Sequence, residues 1–192
     1  MIDFSNEITS IKTCLAPNPV FLELTVKKDW RATVSEHRSL IRHGFLERHA
    51  MEITDRVEFL NLDLIPVLNR NFISISHSIS EGGYAFSNLP VGFDLIERSR
   101  LNEKVLARVS TSKEILAAAD PCYLWPAKEA VFKACSDQLS NISEIHIEVW
   151  KNLGENLFSF ESQFKNKNGV VTTRSGFVFE KSDVLYGLYL VR

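Results

Sequence analysis

A histidine, two or three carboxylates and two lysines fall in three short segments of this chain. The segments are Ser74-Ile75-Ser76-His77-Ser78, Gly92-Phe93-Asp94-Leu95-Ile96-Glu97, and Trp125-Pro126-Ala127-Lys128-Glu129-Ala130-Val131-Phe132-Lys133-Ala134. Such a set suits a magnesium-dependent reaction at a phosphate ester. Hard carboxylate oxygens hold the metal, and cations hold the phosphates. Serine hydroxyls and strand-end N–H groups add phosphate donors. Each residue also has a plainer reading. His77 closes an apolar strand face, where a packed histidine is ordinary. Glu129 and Lys133, taken alone, are an exposed i, i+4 ion pair worth about 0.3–0.5 kcal/mol. Asp94 needs a cation of some kind, since a buried, unpaired carboxylate is costly.

The elements that must carry these side chains are legible from periodicity. Ile73, Ile75 and His77 share one face of a strand over Phe72 to Ser78, and Ser74, Ser76 and Ser78 share the other. Short strands at Tyr84–Phe86 and Val91–Ile96 complete an expected antiparallel meander. In the last of these, Gly92 lies beside Asp94, and its missing side chain predicts close approach of a ligand to the backbone. Helical patterns follow at Leu101–Val109 and Ser112–Ala119. The clearest helix begins near Pro126, which suits a first turn. Ala127, Ala130, Val131 and Ala134 make its small-residue packing stripe, with Glu129 and Lys133 roughly opposite. Strands are expected at Ile145–Trp150, Leu157–Phe164, Val170–Glu180 and Val184–Val191, with a hairpin turn at Asn166–Gly169. Upstream, Val34–Met51 reads as an amphipathic helix. His37, Arg38, Arg42, His43, Arg48 and His49 give it a basic face, Glu36 and Glu47 are pairing partners, and Leu40, Ile41 and Phe45 are its apolar positions. The expected class is α+β, with two β-rich regions flanking a helical middle.

Bulk properties narrow the function. The chain has 192 residues, 45% hydrophobic and 24% charged, as in an ordinary globular protein. A net charge of −2 gives no whole-protein field for nucleic acid or an anionic membrane. No apolar run approaches the ~20 residues that span a bilayer, and the acidic start of the chain lacks a secretory pattern. Cys14, Cys122 and Cys135 have no metal-ligand spacing, so reduced thiols in the cytoplasm are expected.

At the three segments the chain resembles the phosphopantetheinyl transferases. Their pattern is a serine-histidine segment, then glycine-x-aspartate on a strand with a nearby glutamate, then tryptophan-x-x-lysine-glutamate-(alanine or serine)-x-x-lysine. Here these are Ser76-His77, Gly92-x-Asp94 with Glu97, and Trp125-x-x-Lys128-Glu129-Ala130-x-x-Lys133. The likeness covers roughly the middle third. Length resembles the longer, monomeric surfactin-synthetase-activating type, whereas the Asp-x-x-Glu spacing, with Ile96 where that type usually carries an acid, is that of the short holo-acyl-carrier-protein synthases.

The resemblance implies two pseudo-twofold-related lobes, residues 1–90 and 91–192, each a small antiparallel sheet with a long helix. It implies a magnesium-dependent enzyme that moves the phosphopantetheine arm of coenzyme A to a serine of an apo acyl or peptidyl carrier protein, without nucleic acid or membrane. Asp94 and Glu129 would hold magnesium, with Glu97 a third candidate. Glu129 would take the serine proton and Lys133 would offset phosphate charge. Ser76, His77, Lys128 and an arginine of the basic helix would hold coenzyme A, with Arg48 first and Arg38 and Arg42 behind it. Two other readings use the same residues: a metal-dependent phosphoesterase, and a non-catalytic protein of this fold that binds coenzyme A or a carrier.

Overall fold

The computed structural model describes residues 1–16, 20–31, 37–49, 67–68 and 71–191. The protein is α+β, with two antiparallel sheets. Helix α1 (Ser5–Cys14) and strand β1 (Leu22–Lys27), which no periodic pattern announces, are followed by α2 (His37–His49), β2 (Val67–Leu68), β3 (Asn71–His77), β4 (Gly82–Ser87) and β5 (Val91–Glu97). Then come α3 (Glu103–Leu106), α4 (Ser112–Ala117) and α5 (Leu124–Ala134). Strands β6 (His146–Gly154), β7 (Leu157–Lys165), β8 (Val171–Lys181) and β9 (Val184–Leu190) finish the chain. The rest of the expected basic helix, residues 34–36 and 50–51, lies outside the described residues. No helix among the described residues is long and apolar enough to cross a membrane.

The first sheet runs β1-β4-β3-β2 and the second β5-β9-β8-β7-β6. The expected meander therefore stops at β4. Strand β5 leaves the first sheet and pairs antiparallel with β9. Alternation explains how each sheet serves two cores. Tyr84 and Phe86 of β4 join Ile41, Phe45 and Leu46 of α2 on one side of the first sheet. Ala85, with Leu22, Leu24 and Val26 of β1, faces the other way into a core shared with α1 and the second sheet. That shared core takes Phe93 and Leu95 of β5 and Tyr186 and Leu188 of β9. The far side of the second sheet holds α5, whose Ala127, Ala130 and Val131 are fully buried, as the stripe predicts.

Two glycines set how closely α5 lies on its sheet. A Cβ at Gly92 would collide with the carbonyl oxygen of Ala130, and one at Gly187 with that of Pro126. The bare backbone at Gly92 thus receives a helix and not a ligand. It also seats Asp94, two residues along on the same face, against the last turns of α5.

Candidate active site

Three elements converge where the edge of the second sheet meets the face of the first. The outward N–H groups of Phe93 and Leu95 on β5 have no strand partner there. Ser74 and Ser76 of β3 take them: Phe93 N–H donates to Ser74 Oγ at 2.9 Å and Leu95 N–H to Ser76 Oγ at 3.3 Å. The serine face of β3 is buried at this seam. Beside it opens a cleft of about 440 Å³, lined by Asp94, Glu129, Lys133, Ser76 and His77. Arg38 and Arg42 of α2 line it from the other side.

Asp94 is 7% exposed. Lys133 Nζ donates to Asp94 Oδ1 at 2.7 Å, to the Phe93 carbonyl at 3.0 Å and to Ser76 Oγ at 3.2 Å. Ser76 Oγ donates to the same Asp94 oxygen at 2.8 Å. Lys133 is therefore committed to Asp94, and the i, i+4 pair with Glu129 that the helix alone would suggest does not form. The Glu129 carboxylate makes no ion pair or hydrogen bond among the described residues. Burial, then the nearby charge of Asp94, push its proton affinity above the usual carboxylate range, while Lys133 opposes them. Two carboxylates on one cleft, one of them lacking a counter-ion, form a donor set that fits a hard divalent cation. Magnesium needs no more than one or two protein carboxylates when phosphate oxygens and water complete its shell. Among the described residues, no group of three or more His, Cys, Asp or Glu side chains gathers as a metal centre.

Several expected site residues lie elsewhere. Glu97 is outside the cleft lining: its Oε1 accepts the Ser80 N–H at 2.7 Å and the Ser80 hydroxyl at 2.8 Å. Burial raises its proton affinity, but hydrogen bonds from Ser78 and Ser80 outweigh this and hold the carboxyl below its usual range. Lys128, expected on coenzyme A phosphates, is 0% exposed and pairs with Glu114 at 2.6 Å. It also donates to the Val109 carbonyl at 2.6 Å, so its ammonium has no route to the cleft. Arg48 points away too. It pairs with Glu23 at 2.6 Å and is 46% exposed on the outer surface. Of the basic-helix arginines, Arg38 and Arg42 reach the cleft.

The sequence reading missed Arg100 as a cleft residue and treated Trp125 only as a motif letter; both line the cleft. Arg100 follows β5 in a short 3-10 turn, Arg98–Arg100. The closeness of two arginines to Glu97 is the only signal for it. Glu114 was also missed as a hub. It closes the capping box of α4 with Thr111 and accepts the Ile147 N–H at 3.0 Å. Thr111-x-x-Glu114 is a readable capping signature, whereas its pairing with Lys128 is set by tertiary packing. The cysteines stand apart from the cleft lining, and burial pushes the Cys135 thiol up to about 11. Compared with known proteins, the chain matches no family model and no curated protein.

Proposed function

We propose that this protein is a magnesium-dependent phosphopantetheinyl transferase, with two sheet-and-helix lobes of that family's pseudo-twofold kind and a monomeric, cytoplasmic life. It moves the phosphopantetheine arm of coenzyme A to a serine of an apo acyl or peptidyl carrier protein and releases adenosine 3',5'-bisphosphate. The observation that carries the reading is the meeting of Asp94 from β5 and Glu129 from α5 on one arginine-flanked cleft. The motif order of the sequence supports the same reading.

The chain's residues divide the work. Arg38, Arg42 and His77 bind the phosphates of coenzyme A, with Arg100 at the cleft as a further cation. Asp94 and Glu129 would hold magnesium, which would supply charge neutralisation at the pyrophosphate. Glu129 takes the proton of the attacking serine hydroxyl, directly or through water. The serine oxygen forms its bond to the phosphorus bearing the pantetheine arm, and the bond from that phosphorus to the bridging oxygen breaks. Lys133 offsets the negative charge that gathers there. Ile96, also on the cleft, adds no ligand.

Incubation with coenzyme A, magnesium and several apo carrier proteins tests this, with each carrier weighed by mass spectrometry. The expected result is a gain of one phosphopantetheine unit on at least one carrier. No gain on any carrier contradicts the proposal. Product release from coenzyme A alone would instead favour a phosphoesterase, and calorimetric binding without transfer a non-catalytic protein.

A further inference from the structure

We infer that Ser76 is a positioning residue, which fixes Asp94 and Lys133 in mutual register, and not a ligand for coenzyme A phosphate. The inference rests on the proposed metal-dependent site and goes one step inside it. A serine hydroxyl has one hydrogen to donate and two lone pairs to accept with. In Ser76 all are engaged. The hydrogen goes to Asp94 Oδ1 at 2.8 Å, and the lone pairs receive Leu95 N–H at 3.3 Å and Lys133 Nζ at 3.2 Å. The residue is 5% exposed. No capacity remains for a phosphate oxygen unless one of these bonds breaks.

The arrangement does two things at once. It closes the edge of β5 against the first sheet. It also gives the Asp94 carboxylate a fixed orientation, with both bonds falling on Oδ1 and none, among the described residues, on Oδ2. Partners that orient metal-binding carboxylates typically matter 10–100-fold in metal affinity or activity. Ser74 is the built-in comparison. It sits two residues away on the same strand face and closes the same seam through Phe93 N–H, without touching Asp94 or Lys133. A purely structural role would make the two serines equivalent.

The test is a manganese titration followed by electron paramagnetic resonance, a readout that needs no transfer. It uses wild type, Asp94→Ala as the site control, Ser76→Ala, Ser76→Thr and Ser74→Ala, each checked for folding by circular dichroism and thermal melting. The expected result is binding by wild type that Asp94→Ala abolishes. Ser76→Ala weakens manganese about 10–100-fold, Ser76→Thr restores it, and Ser74→Ala lowers the melting temperature without that loss. Unchanged affinity in Ser76→Ala overturns the inference. So does an equal loss in Ser74→Ala, or a Ser76→Thr variant as weak as Ser76→Ala at an unchanged melting temperature. If wild type transfers nothing to any carrier while this pattern holds, the transferase reading fails and the role of Ser76 stands.

Discussion

The Glu129 carboxylate makes no ion pair or hydrogen bond among the described residues, and the charge of Lys133 only partly offsets its burial. Lys133, four residues away, spends its ammonium on Asp94 instead. A neutral substitute should therefore separate stability from function. The folded state raises the proton affinity of Glu129 above the ordinary value of 4.5. Between that value and the raised one, the folded protein holds a proton that the unfolded chain has released, so stability falls as pH rises through this window. Glu129→Gln is expected to melt at a higher temperature than wild type at neutral pH, and to have lost transfer. A lower melting temperature there would place an unseen favourable partner on Glu129.

Helix α5 is the element on which the site turns, and two features hold it. One is the close approach over Gly92 and Gly187. Gly92→Ala forces its Cβ into the Ala130 carbonyl, and overpacking of this kind costs about 1–3 kcal/mol. Denaturant unfolding should show that loss, with metal binding weakened as Asp94 shifts away from Lys133. The other is the sealed pair of Lys128 with Glu114, both at most 1% exposed. Lys128→Met leaves Glu114 buried without its cation, a change that costs about 3–5 kcal/mol. Any folded fraction should bind coenzyme A much as wild type does, because the ammonium never reached the cleft. A large rise in the coenzyme A dissociation constant at unchanged stability would reverse that placement.

These elements also show what the sequence made legible. The α5 stripe, the alternation of β3 and the hairpin at Asn166–Gly169 are local patterns, and the structure keeps them. Periodicity cannot say which strand pairs with which, so β5 was expected beside β4 and lies beside β9. For the same reason the bonds that Ser76 and Lys128, both expected on coenzyme A, make in the fold could not be read from periodicity. Their partners, Asp94 and Glu114, come from distant parts of the chain. Arg48 and Arg42 sit on one helix, and only packing decides which faces the cleft.

Considered as a whole, the protein holds its site at the joint between two sheets. That joint is more than the serine seam. Tyr186 of β9 donates to Glu81 in the turn after β3, Glu97 at the end of β5 accepts from Ser80, and a core of Leu24, Ala85, Phe93 and Tyr186 runs between the sheets. With so much apolar surface shared, the sheets should unfold together. Trp30 packs with the first sheet and Trp150 with the second. Variants keeping one of these tryptophans are expected to give coincident denaturation curves, and separated midpoints would show that the two sheets unfold independently. The cleft then depends on both sheets at once, and its central claim is that Asp94 and Glu129 hold one divalent cation against the pyrophosphate of coenzyme A. Anomalous diffraction from a crystal grown with manganese and coenzyme A measures that most directly. The account predicts a single peak bonded to both carboxylates and to pyrophosphate oxygens. A peak that touches neither, or coenzyme A seated away from Arg38 and Arg42, would contradict it.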